Sequence, residues 1–282
     1  MNTQQAKVIL ITGASSGIGR VSAERLLREG HIVREGHIVY PLARRLEAME
    51  PLRALGAHPL HLDVSDEAEV RAVVAQIFAA EGRIDVLWNN AGFGLFGPLE
   101  DVPLTEARRQ LEVNLLGLAA MTQAILPYMR QARRGLILNT SSIAGKIHFP
   151  LGSWYHASKH AVEGLSDCLR LELQPFGIDV VLLEPGFIAT SFGSVLRDEA
   201  GRFTAGSAYR ALMERVREQS RRSDTGGGGS SPERVAAVVS QIVRARRPRT
   251  RYRVGQFATT LLTLRALLPD RLFDRLMLRQ LR

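Results

Sequence analysis

Short apolar runs alternate with longer segments of helical periodicity through the first two-thirds of this 282-residue chain. Runs of three to six residues fit buried strands, and the segments between them are long enough to be helices. This alternation predicts an α/β fold with a parallel sheet. The predicted strands are Val8–Ile11, Ile38–Ala43, His58–Leu62, Val86–Trp88, Leu136–Asn139 and Val180–Leu183. The predicted helices are Ile18–Arg28, Leu46–Leu55, Glu67–Ala80, Thr105–Arg130, Ser158–Gln174 and Pro232–Ala245.

The length suits either one large α/β domain or two small ones, and no interdomain linker is visible. We expect a single domain over residues 1–282, with a core at about 7–190, a substrate lid at about 191–231 and C-terminal helices at 232–282. A glycine-serine stretch, 226–231, predicts a flexible loop before the last part of the chain. Ser231 is predicted to cap the following helix, with Pro232 at its first position.

The hexapeptide REGHIV occurs twice in succession, at Arg28–Val33 and at Arg34–Val39. We place the second strand in the second copy because that copy leads directly into Tyr40–Arg45. The first copy then either extends the first helix or bulges as a loop. A shift of six residues keeps the alternation of side chains along a strand, so competing registers are conceivable.

The net charge of +9 is carried by arginine, because only three of the 37 basic residues are lysines: Lys7, Lys146 and Lys159. Basic residues crowd the last third of the chain, which raises a nucleic-acid or anionic-lipid surface as an alternative. We favour solvated helix faces and expect no nucleic-acid partner, since no nucleic-acid motif accompanies the charge. The single cysteine, Cys168, excludes an internal disulfide, and we expect it to be buried. No apolar run approaches a membrane span, so we expect a cytoplasmic protein.

A glycine-rich turn, Thr12–Gly19 with the sequence TGASSGIG, joins the first strand to the first helix. Glycines let the backbone approach a pyrophosphate closely, and the helix N-terminus offers it unpaired N–H groups. The turn therefore predicts a dinucleotide site. The second strand ends in Ala43–Arg45 without an acidic residue, and arginine can bind a 2′-phosphate in two-pronged fashion. We expect NADP(H), with Arg44 as the main phosphate contact, a solvated arginine pair being the alternative. Asp63, at the end of the third strand, is a candidate partner for the adenine amino group.

Tyr155 and Lys159 are four residues apart on a predicted helix and therefore share one face. An ammonium group near a phenol favours the phenolate and is expected to lower the tyrosine pKa. Ser142 follows the end of the strand Leu136–Asn139, at the sheet edge where parallel sheets place their ligands. These three residues are candidate acid/base and hydrogen-bonding groups.

Taken in order, these motifs resemble those of the classical short-chain dehydrogenases/reductases from about Lys7 to Thr190. The matching pieces are TGASSGIG at 12–19, NNAG at 89–92, LEVNLLG around Asn114, SS at 141–142, YHASK at 155–159 and PGFIAT at 185–190. The resemblance implies a single Rossmann-type, doubly wound parallel sheet with helices on both faces. It also implies an oxidoreductase acting on CH–OH donors with NADP⁺ as acceptor, and no metal. Ser16 stands where many NADP-preferring relatives carry a basic residue, which weakens that preference.

Each role implied by the resemblance falls on a residue of this chain. Tyr155 would be the acid in reduction and the base in oxidation. Lys159 would lower the tyrosine pKa and hold the nicotinamide ribose. Ser142 would bind the substrate oxygen, with Ser141 as the alternative serine at a less typical spacing from Tyr155. Asn114 would hold a water that links Lys159 to solvent, and Asn89 would tie strands together. The expected cofactor-binding residues are Gly13, Ser15, Ser16, Gly17, Ile18, Gly19, Arg44, Asp63, Val64, Asn90, Ala91, Gly92, Tyr155, Lys159, Pro185, Gly186, Ile188 and Thr190.

Apolar side chains are candidates for the substrate pocket and predict a lipophilic ketone, aldehyde or secondary alcohol. They are Phe93, Leu95, Phe96, His148, Phe149, Trp154, Phe187 and the segment Phe192–Met213. The tail Phe257–Arg282 mixes leucine, phenylalanine and arginine at helical spacing; core or subunit packing is favoured over a membrane contact. A homodimer or homotetramer through the two long helices is expected. The alternatives are an NAD-preferring dehydrogenase and a cofactor-binding regulatory or membrane-surface protein without turnover.

Overall fold

Seven parallel strands form one sheet in the computed structural model, which describes residues 6–32, 36–190, 206–225 and 229–279. The strand order is β3-β2-β1-β4-β5-β6-β7. The order reverses between β1 and β4, so this is a doubly wound sheet with a crevice at its carboxyl edge. The predicted fold class is confirmed. The strands are β1 (Val8–Thr12), β2 (Ile38–Ala43), β3 (Leu60–His61), β4 (Val86–Asn89), β5 (Gly135–Thr140), β6 (Ile178–Pro185) and β7 (Arg251–Val254).

Helices cover both faces of the sheet because its strands are apolar on both sides. Along β1, Ile9 and Ile11 point into one core cluster while Val8 and Leu10 point into the other. The helices α1 and α8 pack on the first cluster, and α3, α5 and α6 pack on the second. They are α1 (Gly17–Ile32), α2 (Glu50–Arg53), α3 (Glu67–Glu81), α4 (Leu104–Leu111), α5 (Gly117–Ala132), α6 (Ser153–Leu173), α7 (Arg210–Thr225), α8 (Pro232–Arg244), α9 (Ala258–Leu267) and α10 (Asp270–Arg279).

Three of the predicted helices differ in where they begin or in whether they are continuous. The helix expected from Ser158 begins at Ser153, so it contains Tyr155 as well as Lys159. The helix expected over Thr105–Arg130 is interrupted by a π-helical turn, Glu112–Leu116, between α4 and α5. The segment expected as one helix at Leu46–Leu55 is a 3₁₀ turn followed by the four-residue α2, which has proline in its first turn. Helix ends and π turns depend on tertiary contacts that local periodicity does not carry.

The edge strand β7 was not predicted, because its four residues alternate arginine with an apolar side chain. Tyr252 and Val254 pack into the core, whereas Arg251 and Arg253 form ion pairs with Glu184 of the neighbouring strand. Glu184 is fully buried. The arginines are therefore part of a buried ionic contact, which the sequence pattern alone does not reveal.

The repeated hexapeptide is divided between two elements. Helix α1 continues to Ile32, so the first copy extends the helix, and the strand begins at Ile38 in the second copy. Residues 33–35 lie outside the described residues. The placement of β2 in the second copy is confirmed, with Ile38 paired to Val8.

The expectation that Cys168 is buried is wrong, because its side chain is exposed. On α6 the buried positions include Val162, Ser166, Leu169 and Leu173, which follow helical spacing. Cys168 lies off that stripe and faces outward.

The C-terminal helix pair, α9 and α10, packs on the segment that follows Ser142. Its residues Leu261, Phe273 and Met277 share a small core cluster with Ile143 and Ile147. The favoured prediction of core packing for this tail is confirmed over the residues described. Within the described parts of the chain, no helix is long and apolar enough to cross a membrane.

Candidate active site

A cleft of about 880 Å³ opens at the carboxyl edge of the sheet, where the strand order reverses. It brings together every predicted cofactor-binding residue except Gly19, and every predicted catalytic residue except Asn114. Its further lining includes residues that the sequence reading did not assign. These are Leu42, Ala43, Arg45, Leu62, Gly94, Glu106, Arg109, Val113, Thr140, Ile143, Ala144 and His156, and the alternative serine Ser141 lines the cleft as well.

The glycine-rich turn is shaped by close backbone contacts. Gly13 has φ +69°, and a Cβ there would lie 2.7 Å from the Cα of Ala91. Gly19 does not line the cleft, but a Cβ there would lie 2.6 Å from the side-chain amide nitrogen of Asn90. Glycine at these two positions therefore lets α1 and the 90–92 segment pack together. The turn leaves the N-terminus of α1 open toward the cleft, as a pyrophosphate requires.

The segment after β4 is fixed to this turn by Thr12. Its Oγ1 accepts hydrogen bonds from the backbone nitrogens of Asn90 at 2.9 Å and Ala91 at 3.0 Å. The Asn90 side chain donates to the Thr12 carbonyl oxygen at 3.0 Å. The adjoining Asn89 donates to Asn139 on β5 at 2.9 Å, so it ties two strands together as expected.

Two arginines stand at the tip of β2 and have different partners. Arg44 lies 3.8 Å from a carboxylate oxygen of Asp63, a distance longer than a hydrogen bond. Arg45 donates to the hydroxyl oxygens of Ser15 at 3.2 Å and Ser16 at 3.3 Å. Arg45 thus joins the tip of β2 to the glycine-rich turn, a contact that sequence reasoning did not assign. The adjacent pair of arginines was the only signal for it.

The carboxyl group of Asp63 is held in its charged form. Burial favours the neutral acid, but hydrogen bonds from Ser65 and the charges of Arg44 and Arg109 together keep its pKa below the usual value. An ionised carboxylate can accept a hydrogen bond from an amino group.

Ser142 is oriented by the backbone that follows it. Its Oγ accepts a hydrogen bond from the Ala144 nitrogen at 3.1 Å and so caps the short 3₁₀ turn Ile143–Gly145. This contact uses one lone pair of the oxygen, and the hydroxyl hydrogen remains to donate a hydrogen bond. Ser142 and the hydroxyl of Tyr155 are hydrogen-bonded.

Lys159 lies one helical turn from Tyr155 and reaches the same part of the cleft. Its Nζ donates to the Thr140 carbonyl oxygen at 2.8 Å and lies 6.0 Å from the centre of the Tyr155 ring. Burial lowers the pKa of Lys159 to about 8, although the nearby carboxylate of Glu163 favours its charged form. At pH 7 the side chain is therefore mainly an ammonium.

The expected lowering of the tyrosine pKa is reversed in this structure. Burial raises the pKa of Tyr155 to about 12, and the hydrogen bond with Ser142 offsets only part of that rise. The ring is 9% exposed, so removal of the phenolate from water dominates the shift. Tyr155 is thus a protonated phenol at neutral pH and can act as an acid.

Asn114 lies behind the cleft, in the π-helical turn. Its Nδ2 donates to the Phe93 carbonyl oxygen at 2.9 Å and to Ser158 Oγ at 3.1 Å. Its Oδ1 accepts from the Phe93 nitrogen at 3.0 Å. A Cβ on Gly92 would lie 3.1 Å from Oδ1 and 3.8 Å from Lys159 Nζ, so the amide and the ammonium flank the same glycine. Both Nδ2 hydrogens are used, and only Oδ1 keeps capacity for a water.

Five apolar side chains among the predicted substrate residues line the cleft, namely Phe93, Leu95, Phe96, Phe149 and Phe187. The ring of Phe96 lies beside that of Tyr155, with ring centres 5.4 Å apart. Trp154 and His148 do not line the cleft; His148 instead contacts Asp274 at 2.8 Å on the surface. Of the predicted segment 192–213, residues 192–205 lie outside the described residues, and Met213 is buried.

His156 is a lining residue that the sequence reading missed. Its Nδ1 lies 3.0 Å from the Ala144 carbonyl oxygen, and its Nε2 accepts from the Phe149 nitrogen at 3.1 Å. Burial lowers its pKa below the usual value, which keeps the ring neutral. His156 therefore fastens the loop carrying Phe149 to the helix carrying Tyr155.

The profile of the short chain dehydrogenase family matches residues 7–201 of the chain. A 3-ketodihydrosphingosine reductase from Bacteroides thetaiotaomicron is 38% identical over 277 residues, covering 96% of each chain. Mouse 17-beta-hydroxysteroid dehydrogenase type 1 is 37% identical over 263 residues, covering 87% of this chain and 72% of the mouse protein.

Solved structures match over nearly the whole chain. A short-chain dehydrogenase from Streptomyces avermitilis superposes with a TM-score of 0.79 at 33% identity, covering 97% of this chain and 95% of that one. A serine dehydrogenase with NADP⁺ gives 0.73 at 26% identity, covering 88% and 94%. A Burkholderia phymatum relative with NAD gives 0.76 at 27% identity, covering 95% and 94%. A nicotinamide cofactor is thus common to such neighbours, in either phosphorylation state.

Proposed function

The chain belongs to the short-chain dehydrogenase family, and from that premise we propose that it is an NADP(H)-dependent oxidoreductase of lipophilic ketones, aldehydes or secondary alcohols. The observation that carries the proposal is the convergence of Tyr155, Ser142 and Lys159 on the cleft that also contains the glycine-rich turn. A bound nicotinamide supplies or accepts the hydride; the protein supplies the binding, the orientation and the proton.

The residues of the cleft fit such a cofactor. The open N-terminus of α1 and the close-packed glycines suit the pyrophosphate. Asp63, with Val64 beside it, suits the adenine end, and Lys159 is placed to hold a ribose hydroxyl. Lining residues from the 90–92 segment and from 185–190 then border the remaining length of the cleft.

We propose NADP(H) rather than NAD(H) from the charge at the tip of β2. Ala43 stands at the position where an acid would repel a 2′-phosphate, and Arg44 and Arg45 follow it. The ion pair of Arg44 with Asp63 is long and exposed, so little free energy opposes its turning to a phosphate. Arg45, already bonded to Ser15 and Ser16, brings a second guanidinium to the same place.

In the reductive direction, Ser142, Tyr155 and Lys159 each have a separate role. Ser142 donates a hydrogen bond to the substrate oxygen, and its own oxygen is held by the Ala144 nitrogen. Tyr155 then transfers its proton to that oxygen as the carbonyl becomes an alcohol. Lys159 holds positive charge beside the phenolate that remains. We propose that Tyr155 regains its proton through Lys159 and a water held by the remaining lone pair of Asn114 Oδ1.

The proposed substrate class rests on the aromatic lining of the cleft. Phenylalanine and leucine side chains line it, Phe96 lies beside Tyr155, and the neutral His156 lies beside Phe149. The 3-ketodihydrosphingosine reductase and the 17-beta-hydroxysteroid dehydrogenase described above are both named for lipophilic molecules. We propose a lipophilic ketone, with a long-chain 3-ketone and a steroid ketone as the first compounds to test.

The test is the loss of NADPH absorbance with a panel of lipophilic and hydrophilic carbonyls. Turnover confined to lipophilic members supports the proposal, and turnover of small polar carbonyls alone contradicts the substrate class. NADPH binding without turnover across the whole panel favours the alternative, a cofactor-binding regulatory protein. Preference for NADH in the same assay favours the NAD-dependent alternative.

Two large apolar side chains on the surface bear on the assembly of the chain. Leu116, at the end of the π turn before α5, and Leu171, on α6, are large apolar side chains left exposed. We propose that these two helices form a homodimer or homotetramer interface, to be measured by light scattering. We also propose the 191–231 segment as a substrate lid, of which 191–205 and 226–228 lie outside the described residues.

A further inference from the structure

The outward face of α10 carries three arginines on one line. Arg271, Arg275 and Arg279 are spaced four residues apart, so they span about 12 Å along one side of the helix. All three are exposed, and no ion pair joins any of them within the part of the chain that the structure describes. The inner side of the same helix is apolar and packs on the protein through Phe273 and Met277.

The acidic residues of α10 offset this line only in part. Asp270 is paired with Arg265 at 2.7 Å, and Asp274 contacts His148 at 2.8 Å, a partner that is charged only when protonated. Three arginines against the single carboxylate of Asp274 leave the helix with a net positive charge, which attracts an anionic surface.

Exposed leucines surround the arginine line. Leu267 at the end of α9 is 74% exposed, and Leu272 and Leu278 on α10 are 47% and 52% exposed. Large apolar side chains beside arginines fit a surface that is both anionic and apolar, as a lipid bilayer is. A nucleic-acid backbone would pair with the arginines but has no apolar surface for the leucines to contact.

The position of the helix pair relates this surface to the cleft. Helix α9 follows the carboxyl end of β7, at the sheet edge where the cleft opens. Phe257 precedes α9 and contacts Phe187, a lining residue of the cleft, with ring centres 6.2 Å apart. Both rings are largely exposed, so an apolar path runs from the cleft mouth to the base of the helix pair.

We propose that the C-terminal helix pair is a docking surface for an anionic lipid bilayer, with the arginine line on the headgroups and the exposed leucines entering the interface. The contact is peripheral. A second copy of the chain is a poor occupant, because a two-fold contact would bring the arginine line against itself. The proposal does not depend on turnover, since binding to vesicles is measured without substrate or cofactor.

The experiment is flotation of the full-length protein with vesicles of phosphatidylcholine alone or mixed with phosphatidylglycerol. We expect binding to the mixed vesicles only, weakening as salt is added. Arg271→Gln/Arg275→Gln/Arg279→Gln should bind roughly a hundredfold more weakly, from the usual contribution of each arginine near an anionic leaflet.

The matched control removes three exposed arginines at the opposite edge of the sheet. Arg246, Arg247 and Arg249 precede β7, so Arg246→Gln/Arg247→Gln/Arg249→Gln loses the same charge away from the helix pair. This variant should keep most of the wild-type affinity. Equal loss in both triple variants would overturn the proposal, because binding would then follow net charge alone.

The leucines are tested in the same way. Leu267→Ser/Leu272→Ser/Leu278→Ser should lose most binding at moderate salt, whereas serine at the exposed Leu99 and Leu104 should not change it. Three results would overturn the proposal: no binding of the wild type to mixed vesicles, equally strong binding to duplex DNA, or a smaller oligomer when the arginine line is removed.

Discussion

The proposed preference for NADP(H) rests on the two arginines at the tip of β2, and Arg44→Ala should reduce it more than Arg45→Ala. Among the residues that the structure describes, Arg44 has only a long contact with Asp63, so it can turn to bind a phosphate in two-pronged fashion. Its removal also leaves the ionised Asp63 with one fewer nearby cation, Arg109 remaining. Arg45 already donates to two serine hydroxyls, and part of its capacity is used there.

The size of the effect follows from the bonds that are lost. A hydrogen bond to a charged group contributes about 1.5–3 kcal/mol. Arg44→Ala should therefore lower kcat/KM for NADPH by roughly 10- to 150-fold. NADH has no 2′-phosphate, so its kcat/KM should change by less than about threefold. Arg44→Lys keeps the charge without the planar guanidinium, and its kcat/KM for NADPH should lie between those of the wild type and Arg44→Ala.

The assay is steady-state reduction of one ketone with each cofactor, for the wild type and the three variants. The informative quantity is the ratio of the two kcat/KM values, because a general loss of folding or activity leaves it unchanged. An equal fall for NADPH and NADH, or an unchanged ratio in Arg44→Ala, would refute the assigned contact.

Three further predictions concern the charge, the backbone and the stability of the site. Lys159 has a pKa of about 8 and acts as an ammonium, so reductive kcat/KM should fall as pH rises through that value. Glu163→Gln removes a carboxylate that favours the ammonium, so in this variant the fall should occur at lower pH. Gly13→Ala should lower thermal stability and abolish cofactor binding, whereas Gly56→Ala, also at positive φ but with open space for a Cβ, should cost only about 1–2 kcal/mol. Arg251→Met removes the guanidinium shared by the buried carboxylates of Glu163 and Glu184, which keep Lys146 and Arg253 as partners, and should lower the free energy of unfolding by about 3 kcal/mol in a denaturant titration.

The sequence predicted the sheet well because burial on both faces gives strands such as β1 and β6 a continuous apolar signal. β7 escaped prediction because its two arginines are paired with Glu184, and that partner lies 67 residues before the strand begins at Arg251. The π-helical turn at Asn114 likewise reflects hydrogen bonds to Phe93 and Ser158 rather than local composition.

The positions of the site residues were predictable because motifs fix the backbone geometry. Their pKa shifts were less predictable because they depend on burial. The glycine-rich turn, Tyr155, Lys159 and Ser142 all border the predicted cleft. The direction of the Tyr155 pKa shift was wrong, since spacing places an ammonium nearby but does not report how far the phenol is removed from water. The link from Arg45 to the glycine-rich turn depends on how two loops approach each other, which the sequence does not encode locally.

The central claim, that a phenol, an ammonium and a hydroxyl act together beside the nicotinamide, is tested most directly by Tyr155→Phe. The substitution removes one hydroxyl group from a buried ring and leaves the glycine-rich turn untouched. NADPH binding, followed by fluorescence, should stay within about threefold of the wild type, while single-turnover reduction of a ketone substrate should slow by roughly 10²- to 10⁴-fold. Reduction at close to the wild-type rate, with NADPH bound normally, would contradict the account.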